Sequence, residues 1–138
     1  MRIACETLAK SRTRPHDDDL LFHIAAEMTN LLAAAHSYKS GMTATVYDMF
    51  SVKPVDKDAV QSAKKYKLAV TVEEHNKMGG LGAAVAELMT EQIGMPKLLR
   101  CGIHDSFDLA CDYDGLLVQN RLTPELIADD IYRAIDNV

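Results

Sequence analysis

The stretch Val70–Leu88, VTVEEHNKMGGLGAAVAEL, decides how this chain folds. Its first residues close an apolar, β-branched run, Leu68–Val72, which reads as a strand. A glycine loop, MGGLG at Met78–Gly82, follows. From Ala83 to Ile93 the apolar residues Ala84, Val85, Leu88 and Met89 recur at helical spacing. Strand, tight turn and helix in that order make one unit of an α/β fold.

The same alternation extends in both directions. Upstream, LLFHIA at Leu20–Ala25 predicts a strand, and Glu27–Ser40 a helix with Met28, Leu31, Leu32, Ala35 and Tyr38 inward. Gly41 stops that helix, ATVYDM at Ala44–Met49 predicts a second strand, and Asp56 is the expected N-cap of a helix with Ala59, Val60 and Ala63 on its inner face. Downstream, KLLRC at Lys97–Cys101 predicts the fourth strand. A last helix is signalled by Thr123 as N-cap, Pro124 at the first helical position and Glu125 in the first turn, with Leu126, Ile127, Ile131 and Ile135 buried. Between Gly102 and Leu122, GLLVQ reads as a short helix or a strand fragment. Strands that alternate with helices, and are themselves nearly continuous apolar runs, imply a mostly parallel sheet covered on both faces. Residues 1–19 are expected to be an arm or edge strand plus a charged linker, and residues 20–138 the compact domain.

Composition narrows the function. The chain has 138 residues, a net charge of −5 and 48% hydrophobic residues, which fits one globular domain and disfavours a nucleic-acid or anionic-membrane partner. Charge is uneven: residues 1–14 hold four basic and one acidic side chain, residues 105–130 seven acidic and one basic. Cys5, Cys101 and Cys111 form no CxxC pair, so neither a disulfide framework nor a zinc ribbon is expected, and a cytoplasmic location fits. No apolar run reaches the roughly 20 residues that span a bilayer.

Three places could carry chemistry. The amides of Gly80, Gly82 and Ala83, at a turn entering a helix, could receive a small anion. The GxGxxG spacing nevertheless fails at Val85, and Glu73 and Glu74 would repel a phosphate. Glu73, Glu74 and His75 could form an acid–base or metal cluster, with Glu73 and His75 on one face of an extended chain, but no further ligand is supplied at usual spacing and no metal site is assigned. Alternatively they hydrogen-bond across a loop or a subunit contact. His104 and Asp105 follow a strand end, where α/β sheets place function. With Ser106 they cannot form a catalytic triad, because neighbouring side chains point apart.

Four stretches carry a resemblance: VYDMFSVKPVD at Val46–Asp56, the Val70–Leu88 block, CGIHDSF at Cys101–Phe107 and LTPELIADDI at Leu122–Ile131. Together they resemble the C-terminal domain of transketolases, including the split form whose C-terminal section is a separate chain, and of deoxyxylulose phosphate synthases. The resemblance implies a three-layer α/β/α domain with a five-stranded, mostly parallel sheet. It also makes Glu73, Glu74, His75, Asn76, Gly79, Gly80 and Gly82 motif positions, none of them a thiamine ligand. It implies that thiamine diphosphate and its magnesium are held by other domains, with no cofactor bound by this chain. Implied partners are a second copy in a homodimer and an N-terminal transketolase section or other thiamine-binding chain. Two departures stand out: Ala25 and Ala26 where the family has a glycine turn, and Asp108 where it has glycine. The expected role is a subunit or excised domain of a transketolase-like enzyme, serving assembly and inactive alone. The alternatives are a self-standing module binding a small anion or nucleotide and a pure dimerisation module.

Overall fold

A computed structural model describes residues 20–25, 43–49 and 51–135, with side chains placed at Thr45, Tyr47 and Met49 and throughout 51–135. The expected arm at 1–19, the helix at 27–40 and the departure at Ala26 lie outside the described residues.

Four strands are present among them: β1 (Leu20–Ala25), β2 (Thr43–Asp48), β3 (Leu68–Asn76) and β4 (Lys97–Ile103). They run parallel in the order β2-β1-β3-β4. In register, Val70 of β3 lies beside His23 of β1 and Leu99 of β4. The resemblance implied five strands, and four is what the described residues form. GLLVQ, the segment that could have supplied a strand fragment, belongs to a helix, α3 (Tyr113–Gln119), because the Asp112 carboxylate caps it by accepting from the Gly115 amide.

Three further helices, α1 (Lys57–Ser62), α2 (Leu81–Thr90) and α4 (Pro124–Ile135), flank the sheet. Asp56 caps α1 as expected, its Oδ1 accepting from the Asp58 and Ala59 amides at 3.0 and 3.1 Å. A short 3-10 turn, Ala63–Lys65, follows. At the start of α4 the Thr123 carbonyl accepts from the Ile127 amide, and the Thr123 hydroxyl accepts more distantly from Leu126.

Alternation along β3 divides the core in two, as a period of two requires. Leu68 and Val70, with Cys101 of β4, pack against Leu122 and against Ile127, Ile131 and Ala134 of α4. Ala69 faces the other way, into Val60 of α1 and Leu81, Val85 and Met89 of α2. Helices on both faces of a parallel sheet make three layers. Sequential strands β1 and β2 lie to one side and β3 and β4 to the other. The chain therefore changes direction across the sheet between β1 and β3, the place where α/β folds open a crevice at the strands' carboxyl ends.

Candidate functional site

Two of the boundaries that differ from expectation lie in the glycine block. β3 does not stop at Val72 but continues through Glu73, Glu74, His75 and Asn76, with a shift in its register against β4 between Val72 and Asn76. α2 begins at Leu81, two residues early. One side chain accounts for both. Glu73 is buried, and its carboxylate accepts from the Leu81 amide at 2.7 Å and the Gly82 amide at 2.8 Å. It thereby satisfies two of the backbone donors that every helix start exposes, and sets a negative charge where the helix dipole favours one.

The glycines make this contact possible. A Cβ on Gly80 would overlap Glu73 Oε2, and one on Gly82 would lie 2.8 Å from Thr71 Oγ1 and 3.0 Å from Arg100 Cδ. Gly80 and Gly82 are thus required by close approach. Of the amides expected to receive an external anion, those of Gly80, Gly82 and Ala83, that of Gly82 is engaged by the chain's own glutamate, together with that of Leu81. Glu73 does not merely repel a phosphate from nearby: it occupies that place.

The remaining motif residues point elsewhere. Glu74 is exposed and accepts from the Tyr113 hydroxyl of α3 at 2.7 and 2.8 Å. His75 is exposed although Glu73 is buried. Asn76 Oδ1 accepts from the Met78 amide at 2.8 Å, opening the turn, and Gly79 takes φ +80° within it. Among the described residues no group of three or more His, Cys, Asp or Glu side chains is placed to hold a metal ion.

His104 and Asp105 do meet the block. Lys77 Nζ lies 3.2 Å from His104 Nε2, and Asn76 Nδ2 donates to Asp105 Oδ1 at 3.5 Å, all at the surface. The ends of β3 and β4 are thus joined by side chains as well as by the Lys77 amide, which donates to the Ile103 carbonyl. Ser106 turns back through its own amide to the His104 carbonyl.

Several organising residues were not expected from the sequence. Buried Asn120 accepts from the His104 amide at 3.2 Å and donates to Asp108 Oδ2 at 2.7 Å, so the Asp108 carboxylate has a partner. The Gln119 side chain accepts from the Leu109 amide and donates to the Leu109 carbonyl. Arg121 binds Asp129 and Asp130 of α4 at 2.8 and 2.7 Å. A polar run, QNR, just after an apolar helix segment was the available signal. Cys101 is buried and Cys111 exposed.

A three-layer parallel domain with this strand–glycine–helix block defines a class, and comparison with known proteins gives its family. Residues 9–106 match the family model "Transketolase, C-terminal domain", and the chain belongs to that family. It is similar to a putative transketolase C-terminal section of Methanocaldococcus jannaschii, 35% identical over 116 residues, covering 83% of this chain and 36% of the relative. It is also similar to the 1-deoxy-D-xylulose-5-phosphate synthase of Shewanella oneidensis, 42% identical over 101 residues, covering 64% of this chain and 16% of that enzyme. Among solved structures it resembles "Split gene transketolase, inactive beta4 tetramer", with a TM-score of 0.74 and 32% identity over 88% of this chain and 40% of the other. The chain spans well under half of each.

Proposed function

We propose that this chain serves as the C-terminal section of a transketolase-like, thiamine diphosphate-dependent enzyme that moves two-carbon ketol units between sugar phosphates. Residues 20–138 are its compact domain. Its part is assembly: it associates as a homodimer and with an N-terminal section or other thiamine-binding chain, and that partner holds the cofactor and magnesium. The cytoplasm is the expected place for it. None of the described helices is long and apolar enough to cross a membrane.

The observation that carries this reading is Glu73. The glycine loop is the feature of the chain best suited to a phosphate, and its amides at Leu81 and Gly82 are used to anchor α2 to β3. A domain whose anion-binding geometry is spent on its own architecture fits a supporting role.

Activity assays test it. The purified chain, given thiamine diphosphate, magnesium and a ketose and aldose phosphate pair, is expected to transfer no ketol unit, and activity is expected once a thiamine-binding section is added. Ketol transfer by this chain alone would overturn the division of labour.

A further inference from the structure

We propose that the face formed by α3 and the loop preceding it docks a chain of different sequence, whose contact surface is apolar and rimmed with Lys and Arg. That this chain is the thiamine-binding section rests on the function proposed above.

The face is apolar and held outward. Phe107 is fully exposed, Leu109 largely so and Leu116, one turn from the Gln119 that holds Leu109, more than a third, while α3 buries none of its residues. This is not a slack loop. Gln119 grips both backbone groups of Leu109 at 2.9 and 3.1 Å, and Asn120 ties Asp108 to the His104 amide. Apolar side chains fixed in water by a hydrogen-bonded frame mark a contact surface, and one arranged in advance loses little freedom on binding. A lone exposed residue such as Ile93, in the turn after α2, carries no such meaning.

Charge selects the occupant. Residues 105–118 hold Asp105, Asp108, Asp112 and Asp114 and no Lys or Arg. A twofold contact of this face with itself would set each copy's four carboxylates against the other's, a juxtaposition that costs affinity. A basic rim around an apolar centre complements it.

Photo-crosslinking in the native host tests the proposal. p-Benzoylphenylalanine is placed at Phe107, at Leu116 or, as control, at Ile93 of the full chain, and crosslinked products are identified by mass spectrometry. Positions 107 and 116 are expected to capture one heterologous chain about tenfold more efficiently than position 93. With that chain purified, Phe107→Asp is expected to leave thermal melting unchanged and weaken binding about tenfold. Asp114→Lys, which leaves the Asp112 cap of α3 in place, is expected to slow association and flatten its dependence on salt. Capture of only a second copy, equal capture at all three positions, or no capture would overturn the docking face. If positions 107 and 116 capture a chain with no thiamine-binding domain, the docking face stands and the proposed function falls. If the thiamine-binding section is captured only from position 93, the proposed function gains support and the docking face falls.

Discussion

Glu73 is a buried carboxylate that ends the covered part of β3 and begins α2. Glu73→Ala leaves two buried amides without an acceptor, at a cost of about 3 kcal/mol, whereas Glu73→Gln keeps one acceptor oxygen and costs about half as much. Urea unfolding of the two variants measures this, and a loss below about 0.5 kcal/mol for Glu73→Ala would show that the contact contributes little. Cys101 offers a second test at this scale. Burial, helped by the charge of Asp130 and opposed by Lys77 and Arg121, pushes its thiol from 9.0 to about 12. The folded state therefore holds a proton that the unfolded chain releases first. The stabilisation from keeping that thiol neutral is complete below about pH 9 and is lost as the pH rises towards 12. Wild-type stability is expected to fall more steeply above pH 9 than that of Cys101→Ala, with parallel curves as the adverse result.

At the scale of elements, the end of α3 shows an unusual residue in a familiar arrangement. The Leu122 amide donates to the Leu117 carbonyl and the Arg121 amide to that of Val118, a Schellman closure in which Arg121 takes φ +58°, the conformation glycine prefers. Arginine is retained there while binding Asp129 and Asp130 of α4, and those carboxylates raise its already high pKa. Its side chain is over a third exposed, so these ion pairs contribute less than about 1 kcal/mol. Relief of the left-handed backbone is worth about as much. Arg121→Gly is therefore expected to be close to wild type and about 1 kcal/mol more stable than Arg121→Ala, which loses the ion pairs and keeps the strain. Equal melting temperatures for the two variants would refute that reading.

Across the whole molecule, what could be read from the sequence was whatever depends on neighbours in the chain. The Asp56 cap and the Thr123–Pro124 helix start are local hydrogen-bonding and φ preferences, so both could be placed in advance. The cores of β3 and β4 were legible because a buried parallel strand is apolar on both faces. The extent of β3 was not, since four polar residues after Val72 look like the end of a strand. Only the approach of α2, whose first amides lie eight and nine residues further on, makes a buried glutamate there favourable. For the same reason it was not legible that the loop amides at Leu81 and Gly82 would meet an acceptor from within the chain. Asn120 and Gln119 escaped notice because their partners, Asp108, His104 and Leu109, are brought to them by the folding back of a loop. The five-strand expectation came from the resemblance and not from the residues, which pointed to four.

Because one carboxylate clasps both sides of the crossing from β3 to α2, the excursion between them is a ring shut at its neck. The exposed Met78, at its rim, can change while that clasp, formed by Glu73 with the Leu81 and Gly82 amides, stays in place.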